Sequence, residues 1–383
     1  MRILFDLTPY FPGRHTGASR YAVNTIYALS KIDHENEYLL FGFADRIPYQ
    51  EKLPENFQYI CLKPKAWLGP IKHEKARRDF VKGECRKHSV DIVHASLEPI
   101  VLPECGAKTV LLLHDVMHLD PIYCKIVKQG LRGRIRNNLR HHGAKKSDHI
   151  ITVSDFSKQQ IVLHLGVSPS KISVAHLGVE KGYKPGVPDP KVLSAMGIEK
   201  PFALFVSDFG RQKNEGGILK AFLDAANNEE IPHELSLVMV GDKQTFPKLL
   251  AEMMQKHPQG SRVILPGHVS EENLIALYQS ATVFIMPSFF EGFGIPALEA
   301  MACGAPVIAS NVASLPEVVG DAAILVDPYS QDEIRRALVK LCNSEPERKR
   351  RTELGIVQAN QFSFEDQVRT TLKVYEKLLG KEA

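Results

Sequence analysis

No run of roughly 20 apolar residues occurs in this 383-residue sequence, so it offers no helix able to span a bilayer. The opening residues, MRILFDLTPYF, enter a strand-like pattern without the charged-then-apolar layout of a signal peptide, and a cytoplasmic location is expected. Cysteine is scarce and scattered. Cys61, Cys85, Cys105, Cys124, Cys303 and Cys342 include no C-x-x-C pair, which argues for reduced thiols and against a disulfide framework or a zinc site. No D-x-D occurs, which removes the usual carboxylate anchor for a divalent ion, and no metal or other cofactor is expected. No G-x-G-x-x-G follows the first strand, which counts against a nicotinamide-dependent oxidoreductase.

What is present fits a globular enzyme of two domains: 44% of residues are apolar and 24% charged. The net charge of +4 is unevenly spread, with +9 in residues 1–190 and −5 in the remainder. Between Lys125 and Lys146 lie eight Lys/Arg and no acid, and a second basic stretch carries the single tryptophan, Trp67. These stretches are either solvated helix faces or a surface for anionic lipid headgroups or a phosphate-bearing acceptor. Nucleic acid is disfavoured because no recognised binding motif accompanies the charge.

Both halves alternate short apolar strands with helical patterns. RILFDL, EYLLFGF, FQYICL, DIVHAS, TVLLLHD, HIITVS and KISVAHLGV read as strands of the first half. Ala22, Ile26 and Leu29 form one helical stripe, and Ser154 and Gly166 are placed to start and stop another helix. A Pro/Gly-rich stretch follows, and a second series opens at FALFVSD. The domains expected are 1–180, a linker over 181–200, 201–364, and a last helix over 365–383. That helix carries a stripe of Val368, Leu372, Tyr375 and Leu379. Ligands of such sheets bind beyond the carboxyl ends of the strands.

Residues 281–328 are the most informative. Strand TVFIMPS leads into the loop FFEGFG; Pro296 fits the first helical position, Gly304 ends the helix, and strand PVIAS follows. Backbone N–H groups from Gly292 through Phe293 and Gly294 to Ile295 would face a phosphate or pyrophosphate. Glu291 precedes this turn, and Glu299 is expected in the first helical turn; both suit hydrogen bonds from sugar and ribose hydroxyls. Ser314 and Glu317, in SLPE, read as a capping box.

The E-x7-E run, its frame EGFGIPALEAMACGAPVIAS and the LPEVVGDAAILVDP that follows closely resemble family 4 of the retaining glycosyltransferases. ITVSDFSKQQIV, ISVAHLGVE and RVILPGHVSEENLIALYQSATVFIMPS resemble family segments in the same order, so nearly the whole chain is covered. The resemblance implies the α/β GT-B fold, with two Rossmann-like parallel-sheet domains facing across a cleft and a C-terminal helix crossing back. It also implies a nucleotide-sugar donor held by the second domain and an acceptor approached from the first.

Residue by residue, the resemblance gives Glu291 to the transferred sugar, Glu299 to the ribose and Lys213 to the diphosphate. A family arginine five residues before that lysine is Asp208 here, with Arg211 the nearest substitute. His114, in LLLHDVMH, matches a histidine over the donor sugar, with Asp115 placed to orient it. HTGASRY resembles a glycine loop opening the first helix, which makes Gly17 and Arg20 donor-binding candidates, though Ala18 and Ser19 depart from the pattern. Retention of anomeric configuration follows from the resemblance. With no supported protein nucleophile, a front-face displacement is the expected mechanism.

Mannose from GDP-mannose is favoured, because the TGASRY and HDVMH neighbourhoods resemble bacterial mannosyltransferases of surface polysaccharide; UDP-hexoses remain open. The expected acceptor is a glycan or a lipid-linked sugar, and the basic first half suggests peripheral contact with the anionic cytoplasmic face of the inner membrane. Competing readings are a sugar epimerase or phosphorylase of the same fold, which the E-x7-E frame opposes, and an inactive scaffold, which the intact Glu291, Glu299, Lys213 and His114 oppose.

Overall fold

A computed structural model describes residues 1–10, 17–48, 50–62, 70–96, 105–126, 137, 141–199 and 201–381. Trp67 and most of the basic run from Lys125 to Lys146 lie outside the described residues.

In chain order the elements begin with β1 (Arg2–Asp6), α1 (Gly17–Ile32), β2 (Glu37–Gly42), β3 (Phe57–Cys61), α2 (Pro70–His88), β4 (Ile92–Ala95) and β5 (Lys108–Leu112). Then come α3 (Pro121–Ile126), β6 (His149–Thr152), α4 (Asp155–Leu165), β7 (Ile172–Val174), α5 (Pro190–Ser194), β8 (Phe202–Val206) and α6 (Glu215–Asn227). Next are β9 (Ser236–Val240), α7 (Lys248–Lys256), β10 (Val263–Gly267), α8 (Glu271–Ser280), β11 (Val283–Met286), α9 (Ile295–Ala302) and β12 (Val307–Ser310). The last are α10 (Leu315–Val319), β13 (Ile324–Val326), α11 (Gln331–Asn343), α12 (Glu345–Ala359) and α13 (Phe364–Leu378).

The chain divides into two units. Unit one is Met1–Asp120, Lys128–Gly178 and Ser363–Ala383; unit two is Pro121–Val127 and Val179–Phe362. Unit one holds a parallel sheet in the order β3-β2-β1-β4-β5-β6-β7, and unit two one in the order β10-β9-β8-β11-β12-β13. Parallel sheets are covered on both faces, which is why their strands read as unbroken apolar runs. Ile3, Leu4 and Phe5 of β1, and Val283, Phe284 and Ile285 of β11, are fully buried. In each sheet the strand order reverses once, between β1 and β4 in unit one and between β8 and β11 in unit two. At such a reversal successive crossover helices leave on opposite faces, and a crevice opens at the carboxyl ends of the strands.

Helix starts follow local chemistry. Ser154, Ser270, Ser330, Ser344 and Ser363 each accept a backbone N–H two or three residues into the following helix, and Gly166 ends α4 at φ 65°. Within 181–199, Asp189 caps α5, and Tyr183, Leu193 and Ile198 are buried within unit two. The chain leaves unit one at Gly178 and returns at Ser363. There a Cβ at 178 would stand 2.2 Å from the Phe364 nitrogen, so only glycine fits.

α13 packs on α1 in unit one. Its buried face is Gln367, Val368, Thr371, Val374 and Tyr375, rotated from the expected stripe, with Leu372 and Leu379 only partly covered. The rotation brings polar groups inward: the Tyr375 hydroxyl lies 2.6 Å from Nδ1 of His94, and the Thr25 hydroxyl donates to Gln367 Oε1 at 3.3 Å. The His94 ring is in turn stacked on Phe5, with centroids 4.4 Å apart. The six cysteines are unbonded, but Cys85 and Cys105 meet in one apolar cluster. A hydrogen bond from Cys85 lowers the pKa of the Cys105 thiol. Among the described residues no helix is long and apolar enough to cross a membrane.

Two stability predictions follow from this buried polar layer. Tyr375→Phe leaves His94 Nδ1 without its partner and is expected to cost about 1–3 kcal/mol in urea unfolding. Burial pushes the pKa of His94 down to about 3, and those of His114 and His149 down to about 4. Unfolded histidines titrate near ~6.5. Between those limits the unfolded chain therefore binds protons that the folded chain refuses, and stability falls as pH drops through that window. The urea midpoint should be clearly lower at pH 4.5 than at pH 7.

Candidate active site

The carboxyl ends of β8 and β11, on either side of the reversal in unit two, carry the most strongly organised polar groups of that unit. After β8 the chain makes a 3-10 turn, Arg211–Lys213, and enters α6 through Asn214. Asn214 adopts the left-handed region at φ 59°, and its side-chain oxygen caps Gly217 N at 3.2 Å. Its amide nitrogen donates to the carbonyls of Pro287, 3.1 Å away after β11, and Pro328, 2.8 Å away after β13. Phe289 N donates to Gln212 O at 2.8 Å, a second tie between the β8 and β11 loops. A single buried amide thus holds three strand-end loops together.

On this frame Lys213 Nζ meets both oxygens of Glu291, at 2.8 and 3.0 Å. The two side chains are 18% and 11% exposed, open enough for a ligand to reach yet shielded enough for the pairing to matter. Beyond Glu291 the loop reaches Gly294 at φ 105°, where a Cβ would lie 2.5 Å from Leu315 Cδ2, and α9 begins at Ile295. Ser314 is fully buried, and its hydroxyl is 2.9 Å from the carbonyl oxygens of both Glu291 and Phe293. The capping box expected from SLPE therefore does not form: Ser314 makes no side-chain cap, because its hydroxyl serves the loop instead.

Glu299 is the fifth residue of α9, one residue beyond the place expected, because the helix opens at Ile295 ahead of Pro296; it is 1% exposed. The hydroxyl of Tyr278, from α8, donates to its Oε2 at 3.2 Å. Gly292 and Phe293 make contacts within the protein, and the loop they belong to runs into the first turn of α9, where helix-opening N–H groups lack intrahelical acceptors. Arg211 is exposed on the same turn as Lys213. Glu215, the first residue of α6, is 4% exposed; burial raises its pKa, and one carboxylate oxygen lacks a partner.

Unit one contributes its own strand-end groups. His114 follows β5, with the Tyr21 ring edge-on at 5.5 Å and a buried, unpartnered Nε2. Its depressed pKa makes it a neutral hydrogen-bonding ring at physiological pH, not a cation. Asp115 accepts the Met117 N–H at 2.9 Å, a turn-forming bond within its own loop. At the end of β1, buried Asp6 pairs with Arg77 of α2 and accepts Thr8 N at 2.8 Å, fixing the chain as it leaves the strand. Gly17 opens α1 with nothing within 4 Å of a Cβ, so no neighbour in the protein requires glycine there; Arg20 lies partly buried one turn on.

Lys213 is thus brought to Glu291, whose loop turns at Gly294, and Glu299 lies in the helix that follows; in the other unit His114 and Asp115 follow β5, and Gly17 and Arg20 lie in the first turn of α1. Asn214, Ser314, Tyr278 and Glu215 were not anticipated. Asn before a helix signals a cap, but its bonds to Pro287 and Pro328 span 73 and 114 residues and have no local signature.

Comparison with known proteins bears on the family and the fold. The family described as Glycosyltransferase Family 4 matches residues 15–182, and the family described as Glycosyl transferases group 1 matches residues 195–357. The chain is similar to the O-antigen chain mannosyltransferase B of Escherichia coli, 28% identical over 400 residues, covering 99% of this chain and 100% of that protein. Among solved structures it resembles sucrose-phosphate synthase from Thermosynechococcus elongatus, with a TM-score of 0.76 at 19% identity and full coverage of both chains. It also resembles an Anabaena protein solved with UDP and glucose, with a TM-score of 0.73 at 19% identity and 99% coverage of each chain. At that identity these structures bear on the fold alone, and they bear out two Rossmann-like domains of the GT-B type.

The loop geometry separates two glycines. Gly294→Ala should destabilise by more than about 1 kcal/mol, and Gly17→Ala should be neutral or stabilise by up to about 1 kcal/mol. Ser314→Ala should cost about 1–3 kcal/mol by leaving two buried carbonyls short of a donor. Thermal unfolding of the three variants checks the ranking.

Proposed function

We propose that this chain, which belongs to the glycosyltransferases of group 1 and family 4, moves a hexose from a nucleotide-diphosphate sugar to a glycan acceptor in polysaccharide synthesis. The observation that carries the reading is the Lys213–Glu291 pair at the strand reversal of unit two. A cation and a carboxylate held side by side suit the two ends of such a donor. Lys213, with Arg211 and the amino end of α9, faces the diphosphate. Glu291 accepts hydrogen bonds from the sugar hydroxyls, and Glu299, braced by Tyr278, takes the ribose. When the donor enters, Lys213 exchanges one anion for another, and Glu291 is released to the sugar.

In the reaction the acceptor oxygen bonds to the sugar C1 as the C1–oxygen bond to the diphosphate breaks. The acceptor proton passes to a diphosphate oxygen on the same face, so configuration is retained. Lys213 and Arg211 stabilise the charge that develops on the leaving group. His114, neutral and with a buried, unpartnered Nε2, is the residue assigned to a sugar hydroxyl, and Asp115 fixes the backbone that carries it. Gly17 and Arg20 serve as a further phosphate contact from the α1 terminus. No resident metal is needed in this scheme.

Mannose carried on GDP is the first candidate, supported by the resemblance to a mannosyltransferase acting in O-antigen synthesis. A UDP-hexose is the second, because nothing in the sequence selects the base. A lipid-linked acceptor at the anionic cytoplasmic membrane face is proposed from the basic first half of the sequence.

The test is a screen of GDP-, UDP-, dTDP- and ADP-sugars for thermal stabilisation and slow donor hydrolysis, with and without EDTA. One donor should respond, and EDTA should leave its turnover unchanged. Lys213→Ala should lower that turnover by roughly 10²–10³-fold, and Glu299→Ala should abolish the stabilisation by the nucleotide. A well-folded protein that responds to no donor would remove the proposal.

A further inference from the structure

Next to the Lys213–Glu291 pair, two aromatic rings form a ledge that the reaction as described does not use. Phe289, two residues before Glu291, and Tyr329, on the turn after β13, have ring centroids 4.9 Å apart at an interplanar angle of 30°. Tyr329 is 56% exposed. A lone exposed tyrosine is ordinary, but this pair is held rather than dangling. Asn214 Nδ2 binds the carbonyls of Pro287 and Pro328, so one amide fixes the backbone just ahead of both rings. Phe289 N is tied to Gln212 O, and Tyr329 N to Asp327 Oδ1 at 2.9 Å. The ledge is therefore set by the same bonds that set Lys213.

We propose that Phe289 and Tyr329 form a stacking subsite for a hexopyranose ring of the acceptor glycan. The inference rests on the transferase reading above. One face of a pyranose is a patch of C–H groups that packs on an aromatic ring, while the hydroxyls around it stay in water or reach the phenol. The position selects the acceptor over the nucleobase. Glu299 and Tyr278, assigned to the ribose side, belong to α9 and α8, which pack together, whereas Asn214 opens α6, which packs on α11. Crossover helices after β8 and β11 lie on opposite faces of a sheet that reverses between those strands. The donor's ribose and the aromatic ledge thus fall on opposite sides of the Lys213–Glu291 pair, and a ring stacked on the ledge lies beside the reacting sugar, not beside the base.

The experiment uses the full chain, with mannobiose as acceptor probe and GDP-mannose as donor. Tyr329→Ala should raise the mannobiose KM roughly five- to tenfold, while Tyr329→Trp stays near the wild-type value. Stabilisation by GDP alone should be the same in all three proteins. An unchanged KM in Tyr329→Ala overturns the proposal. Loss of the GDP response in that variant also overturns it, and assigns the ledge to the base. Saturation-transfer NMR of mannobiose, without donor, separates this inference from the function on which it rests. Saturation of ring protons by the wild type, lost in Tyr329→Ala, supports the ledge even when no donor is turned over. No saturation by the wild type overturns it.

Discussion

The amide of Asn214 is the constraint on which the second unit's chemistry depends. A parallel sheet that reverses direction leaves its strand-end loops as separate chain segments with no hydrogen bonds to one another required by the fold. Asn214 supplies them. By occupying a left-handed cap position it turns its nitrogen towards two carbonyls from distant loops while its oxygen starts α6. Lys213 precedes it directly, so the ammonium reaches Glu291 from a backbone with little freedom. Ser314 does the complementary work behind the loop, holding the carbonyls of Glu291 and Phe293. The backbone that carries these groups is therefore fixed in advance, and such preorganisation is what gives electrostatic stabilisation its size.

The first unit solves a different problem. Its strand ends and the returning α13 bury histidines that stay neutral because water is excluded from them. The cost of that burial is met by specific partners, such as the Tyr375 hydroxyl on His94. α13 belongs to this layer rather than merely covering it, since Gln367 and Thr371 are as buried as Val368. His114 keeps its Nε2 unpartnered within the protein, which leaves it a directed hydrogen-bonding atom at the end of β5.

Much of this was legible in the sequence because much of it is local. Strands buried on both faces read as apolar runs, and a serine at a helix start reads as a cap; Ser154 behaves as one in the structure. The β–loop–α–β frame around Glu291 was legible for the same reason. Bonds between distant segments were not. The SLPE pattern suggested a cap, and Ser314 instead reaches back 21 and 23 residues to the loop of Glu291 and Phe293. Glu299 was placed one residue too early, because α9 opens at Ile295 and Pro296 is its second residue rather than its first. The stripe on α13 was read from apolar residues alone, and the polar Gln367 and Thr371 turned it. Cys85 and Cys105, scattered in sequence, meet only through the packing of α2.

The account's central claim is that Lys213 exchanges Glu291 for the donor's diphosphate. Calorimetric titration of GDP into wild type and Glu291→Gln tests it most directly, because GDP carries the diphosphate but no sugar for Glu291 to hold. Removing the competing carboxylate should tighten GDP by roughly two- to fivefold, the size expected for a partly shielded ion pair. Equal or weaker binding of GDP by Glu291→Gln would contradict the exchange and with it the assignment of Lys213 to the diphosphate.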